Sequence, residues 1–182
     1  MTVALVLGGA STVWDDVRAA LDLATFDAVV ACNDVGAAWP GRLDAWVSLH
    51  DEKLPLWIKR RQAAGRPPAK RVLGHAKPRN RVAPGLTGTT DYLLPGQRNS
   101  GSSGLFAVKV ALIDLGMDKA VLCGIPVTRA GAHFFDPREW GGAQSHWQGW
   151  DEAMPILKQR VRSMSGLTAA RIGRPDKTWL GA

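Results

Sequence analysis

Cysteine is scarce: Cys32 and Cys123 are the only two in 182 residues, and both lie inside apolar runs. Two thiols so placed read as small buried hydrophobes, and they supply neither a disulfide framework nor the paired spacings of a zinc site. No apolar run approaches the roughly 18 residues that mark a membrane span. The opening "MTVALVLGGAS" lacks the basic region and long apolar stretch of a signal peptide, so a cytoplasmic location is expected. There is no internal repeat, no GK[ST] ending of a Walker A loop and no full GxGxxG. Acid is missing from residues 59–81, which hold nine basic residues: Lys59, Arg60, Arg61, Arg66, Lys70, Arg71, Lys77, Arg79 and Arg81. The remainder carries 14 basic against 16 acidic residues, so the net charge of +7 belongs to this one segment. Such a segment serves phosphates, nucleic acid or an acidic partner, or it is only a solvated helix end followed by a Pro-rich loop.

What remains is ordinary for a globular protein: 46% hydrophobic and 21% charged residues in a length that fits one domain. A domain of that size buries roughly 70% of its unfolded surface, so a core forms without staples. Residues 3–9 ("VALVLGG") form a short apolar run ending in Gly-Gly, the pattern of a buried parallel strand. Residues 11–24 follow with helical spacing of Trp14, Val17, Leu21 and Ala24; Ser11 is the candidate N-cap, and Asp15 and Asp16 suit the first turn. Further strands are expected at 26–34, 43–50, 70–75, 91–95 and 119–125, with a short one at 167–173. Helices are expected at 51–65, from the stretch "NSGSSG" to about residue 115 with Gly116 as C-cap, and at 151–164, where Pro155 either belongs in the first turn or shortens the helix. Residues 126–150 read as a long lid-like loop, and the eight Trp as core or loop anchors. The alternation predicts an α/β, three-layer, Rossmann-like domain over 1–182 with a mainly parallel sheet.

In such sheets ligands bind beyond the carboxyl ends of the strands. Polar clusters follow several of the expected strands. Gly8, Gly9, Ala10 and Ser11 form either a ligand loop, with backbone exposed and helix N–H groups beside it, or a tight turn with a serine cap. Asn33 and Asp34 offer an amide and a carboxylate for a base or sugar hydroxyl, or an Asx-type turn. His50, beside Asp51 and Glu52, is an acid/base candidate or part of a helix cap. Asn99, Ser100, Gly101, Ser102, Ser103 and Gly104 precede a helix apolar nearly all round, broken mainly by Lys109 and Asp114, so the helix is expected to be buried, its polar start either facing a phosphate or carboxylate or forming only a flexible turn with a serine cap. Thr128 and Arg129 follow "VLCGIPV", and His133 and His146 lie in the long loop. His133 with Asp136 lacks a third ligand at fixed spacing, so no metal is assigned.

The ordered set "LGGAS … VVACNDV … LDAWVSLH … NSGSSGLFAVKVALIDLGMDKAVLCGIPVT" resembles the MptE-like (DUF115) family and the bacterial sialyltransferases of glycosyltransferase family 42. It spans roughly residues 3–128, and the chain is also similar to small proteins of tailed phages and prophages. The resemblance implies a nucleotide or nucleotide-sugar site and transfer of a glycosyl or phosphoryl group, with no further cofactor assigned. Gly8, Gly9, Ala10, Ser11 and Asn33 match nucleotide-contacting positions, and residues 100–104 match a loop on the sugar or phosphate. A histidine of the carboxy-terminal lid is the general base in the sialyltransferases, a role for His146 or His133 here. Two departures stand out. The family's "G-x-D" aspartate falls at Pro126, against a Mg²⁺-dependent diphosphokinase, and the paired tyrosines of the sialyltransferases are missing, Tyr92 being the single tyrosine. Thr128 and Arg129 are the substitutes for them, an arginine being able to neutralise a leaving phosphate. Competing expectations are a non-catalytic phage accessory protein, sequestering a nucleotide or serving as a virion scaffold, and nucleic-acid binding through 59–81.

Overall fold

The computed structural model describes residues 1–75, 83–128, 130–141 and 143–181. Seven parallel strands form its centre: β1 (Val3–Leu7), β2 (Ala28–Cys32), β3 (Ala45–Val47), β4 (Val72–His75), β5 (Gly88–Thr90), β6 (Lys119–Cys123) and, last in the chain, β9 (Val161–Ser163). Their order is β5-β4-β3-β2-β1-β6-β9, and every neighbouring pair is parallel. A separate antiparallel hairpin is made by β7 (Ala130–His133) and β8 (Asp136–Gly141).

Strand side chains alternate between faces, so each run of apolar residues feeds two cores. Ala4, Val6, Val30 and Leu122 pack under α4 (Ser102–Lys109) and α5 (Trp147–Arg160) with Phe106, Leu105 and Trp150. Leu5, Leu7, Trp46 and Val121 pack on the other face against α1 (Val13–Leu23), α2 (Val35–Ala38), α3 (Leu54–Ala63) and α7 (Lys177–Leu180). The expected α/β three-layer fold with a parallel sheet is therefore the observed one. Beyond α4 the helix widens into a π turn over Val110–Asp114. Buried Lys109 reaches the Asp114 carboxylate at 2.8 Å and the Thr90 hydroxyl at 2.7 Å, which accounts for the two charges in an otherwise apolar helix.

Several expected elements differ. Residues 91–95 are not a strand; the edge is made just before them by β5, and Leu94 instead enters the core in a turn closed by Gln97, which bonds the Leu94 N–H at 3.0 Å. The helix expected at 151–164 starts at Trp147, which leaves Pro155 in its interior. It stops at Arg160, because Val161 turns extended and pairs with β6 as β9. Residues 167–173 are helical, in α6 (Gly166–Ile172), where the buried Thr168 hydroxyl donates to the Ile125 carbonyl at 2.7 Å. Thr12, not Ser11, occupies the N-cap position of α1. The stretch 126–150 is not a plain loop: it carries the hairpin, a 3-10 turn at Ala143–His146 and the start of α5.

The basic segment is partly internal. Arg61 is 2% exposed and donates to the carbonyls of Pro67, Gly36, Trp39 and Gly41 at 2.6–2.8 Å. Arg66 donates to the Ala37 carbonyl, and Lys70 pairs with Asp44 at 2.9 Å. These three cations hold the α2 end and the β3 entry together. Lys59, Arg60 and Arg71 are exposed; Lys77, Arg79 and Arg81 lie outside the described residues.

Candidate functional site

All seven central strands end on the same sheet edge. β1 lies between β2 and β6, and the chain crosses to opposite sides of it. Such a switch point leaves a crevice beyond the strand ends, and a cavity of about 240 Å³ lies there.

Its floor is the turn after β1. A Cβ on Gly8 would meet the Ile125 Cγ1 at 2.4 Å and the Gly124 carbonyl oxygen at 2.5 Å, so only glycine lets the β1 and β6 ends approach. Gly124, at φ +67°, faces back onto the Gly8 carbonyl oxygen. The N–H groups of this turn are largely occupied: Gly8 donates to Cys123, Ala10 to Gly124 and Ser11 to Ala132, all backbone carbonyls at 2.8–3.1 Å. The turn is thus not an open cradle of donors. Its far side is closed by the hairpin, since Ala10 bridges His133, Phe134 donates its N–H to the Gly9 carbonyl at 3.1 Å, and the His133 Nδ1 lies 3.1 Å from the same oxygen.

Asn33 stands at the end of β2 with φ +56°. Its carbonyl accepts from the Trp46 indole at 2.6 Å, and its side-chain oxygen accepts from the buried Ser48 hydroxyl at 2.8 Å. These bonds fix the orientation of the amide at the cavity wall. The buried Ser103 hydroxyl accepts from the Leu49 N–H at 3.2 Å and ties the start of α4 to the end of β3. Asn33, Ser102 (φ +91°) and Val127 (φ +44°) are the non-glycine residues with positive φ among the described residues, and all three line the cavity. Strained backbone gathered at one place is a mark of a functional site, each such residue costing of order ~1–3 kcal/mol.

Among the expected residues, Gly8, Gly9, Ala10, Asn33, His50, Ser102, Ser103, Gly104, His133 and His146 line the cavity. Ser11, Asp34, Asn99, Ser100, Gly101 and Thr128 do not; Arg129 lies outside the described residues. Asn99 is held elsewhere: its N–H and its amide nitrogen both donate to Glu152 of α5 at 2.7–2.8 Å. Gly149 of the same helix packs so tightly on 99–101 that a Cβ would meet the Asn99 carbonyl oxygen at 2.5 Å. Those three residues therefore shape the approach to α4 and do not face the cavity. Asp34 sits behind Gly9, where a Cβ on Gly9 would be 3.2 Å from both its Oδ1 and the His133 Nδ1. Burial raises the Asp34 pKa, opposed chiefly by the charge of His133, and its Oδ1 has no hydrogen-bond partner among the described residues.

Cys32, Leu49, Gly124, Ile125, Pro126 and Val127 also line the cavity without having been expected there. For 124–127 a signal existed, since they directly follow a central strand; their apolar character made them read as core. Burial, and then the Asp34 charge, push the Cys32 thiol up to about 12, which makes it part of the wall and not a nucleophile. Burial lowers the His146 pKa, so its imidazole is neutral over a wider range of pH. Among the described residues no group of three metal-ligating side chains converges, and no helix is long and apolar enough to cross a membrane.

Neither a family model nor a curated protein matches the chain. Solved structures do. The sialyltransferase CstII from Campylobacter jejuni, in complex with the substrate analogue CMP-3FNeuAc, aligns over 97% of this chain and 88% of its own, with 15% identity and a TM-score of 0.65. The same sialyltransferase with a trisaccharide acceptor and CMP aligns over 96% and 87%, at 14% identity and 0.65. The C. jejuni enzyme with cytidine-5′-monophosphate aligns over 97% and 87%, at 16% identity and 0.59. These matches bear on architecture alone, and none of them carries the MptE-like or the phage part of the resemblance. At such identities the likeness speaks for architecture: this chain has the fold of the sialyltransferase CstII.

Proposed function

We propose that the protein is a glycosyltransferase that binds the nucleotide end of a CMP-type nucleotide sugar in the switch-point cavity. The observation that carries this reading is the convergence there of Asn33, the 8–10 turn, the α4 start and His146 from separate parts of the chain. The bound CMP and CMP-3FNeuAc of the structural neighbours support it. The Asn33 NH₂ reads a base or ribose acceptor, and Gly8 and Gly9 give the ligand close backbone approach. Ser102, Ser103 and Gly104, at the positive end of α4, face the phosphate. In the transfer step an acceptor hydroxyl oxygen attacks the anomeric carbon, the bond from that carbon to the phosphate oxygen breaks, and the electron pair leaves with CMP. The hydroxyl proton passes to His146, whose neutral state suits a general base. His133, bonded to the Gly9 carbonyl, acts as a strut of the hairpin.

Thermal shift and calorimetry with CMP, CDP, UDP, ATP and CMP-sialate test the binding half. A ligand at about one hundred times its Kd stabilises by about 2.7 kcal/mol, and the absence of any shift with all five refutes the reading. Hydrolysis or transfer from CMP-sialate tests the chemistry: H146A is expected to lose about 10²–10⁴-fold in rate with CMP affinity kept. Binding without turnover in the wild type identifies a nucleotide-binding protein that does not catalyse.

A further inference from the structure

Phe135 is 60% exposed, and among the described residues it is the aromatic of the large hydrophobic side chains that stand out into solvent; the others are Met1 and scattered aliphatic residues. It sits at the tip of the β7–β8 hairpin and stacks on His133, with ring centroids 5.3 Å apart and planes 29° from parallel. His133 in turn lines the cavity. The ring is therefore one side chain removed from the cavity lining, with one face against His133.

The tip is not a loose end. Phe134, the neighbour, turns inward and meets Trp14 of α1 edge-on at 5.7 Å, and it also meets Phe135 edge-on at 5.2 Å. The Ala10 bridge and the Ser11-to-Ala132 and Phe134-to-Gly9 bonds fasten the hairpin to the cavity floor. Just after the tip, at the start of β8, Arg138 clasps Asp136 through both carboxylate oxygens, at 2.6–3.1 Å, so that pair adds no net charge. An aromatic face held in place at the rim of a cavity, beside a neutralised ion pair, suits a flat, apolar and uncharged partner surface.

We infer that Phe135 is the stacking platform for a neutral pyranose of the carbohydrate acceptor. This rests on the proposed function in one respect: with the nucleotide inside the cavity, what approaches from the rim is the acceptor. A pyranose presents a face of C–H groups that packs on an aromatic ring while its hydroxyls remain hydrated. Galactose, whose axial O4 leaves one face free of hydroxyls, is the natural probe.

Saturation-transfer NMR with lactose and methyl β-galactoside on the wild type, F135A and F135W tests this, with CMP titrated calorimetrically on each. The expected result is saturation of the galactose H3, H4 and H5 protons in the wild type, loss of affinity by about tenfold in F135A and retention in F135W, with CMP affinity the same in all three. Lactose contact through Phe135 without any CMP binding leaves the platform standing and removes the glycosyltransferase reading. Three results overturn the platform: galactoside contact that F135A keeps or that the wild type lacks, a CMP affinity that falls in parallel in F135A, or a wild-type dimer in light scattering that F135A dissociates.

Discussion

Asp15 and Asp16 are adjacent acids in the first turn of α1, and a helix-dipole argument treats them alike, at about 0.3–1 kcal/mol each. The tertiary structure separates them. Asp15 is exposed and meets Arg18 on the surface. Asp16 is 7% exposed and accepts from the Gly124 N–H at 2.8 Å, the Ser165 hydroxyl at 2.6 Å and the Thr12 hydroxyl at 3.1 Å. It joins α1, the end of β6 and the start of α6 beneath the cavity floor. In D16A the buried Gly124 N–H loses its acceptor, at about 1–3 kcal/mol, and two bonds to a charged acceptor worth about 1.5–3 kcal/mol each also go. The Thr12 and Ser165 oxygens lie 3.2 Å apart, so one hydroxyl turns to the other and recovers about 1 kcal/mol, and at the low end of these ranges the net loss is about 3 kcal/mol. For a chain of this length that is a fall in Tm of roughly 6–12 °C. D15A is expected to lose about 0.5 kcal/mol, and to lose even that in about 1 M salt, where dipole effects are screened. D16N, which keeps one acceptor for Gly124, should fall between them. Urea denaturation of the three variants at low and high salt decides the matter. A D16A loss no larger than that of D15A, or one abolished by salt, refutes the anchor.

G8A should be destabilised by about 1–3 kcal/mol and lose nucleotide-induced stabilisation, because its Cβ meets backbone 2.5 Å away; G9A, whose Cβ meets only side-chain atoms at 3.2 Å, should be milder, and paired denaturation curves rank them. Transfer from CMP-sialate should rise with pH through a value below the ordinary histidine 6.5 and then level, since the base acts when neutral and burial lowers the His146 pKa; an acidic limb at or above 6.5 counters the assignment. R61K should be nearly as damaging as R61A, about 2–4 kcal/mol by urea denaturation, because an ammonium does not reproduce a fork serving four carbonyls.

The buried strands were legible because a parallel strand covered on both faces is a continuous apolar run, as in "VALVL" and "KAVLC". β5, "GTT", was not, being a half-exposed edge strand held by pairing to β4 and by the Thr87 hydroxyl that accepts the Val72 N–H. β9, "VRS", was absorbed into the preceding helix, since three residues carry no period of their own and their partner β6 is distant in the chain. At the candidate site, glycines after β1 and the polar stretch before α4 pointed to the sheet edge where the cavity lies. Local pattern did not reveal that Glu152 draws Asn99 away from the cavity, or that the hairpin occupies the N–H of Ser11.

Composition and hydrophobic period, which are properties of neighbouring residues, determined the layered fold and set polar residues after the strands, at the edge where the cavity lies. Which of two adjacent aspartates is an anchor, which arginines are internal struts, and which histidine is held against the Gly9 carbonyl were decided only by tertiary structure, because each depends on a partner far away along the chain.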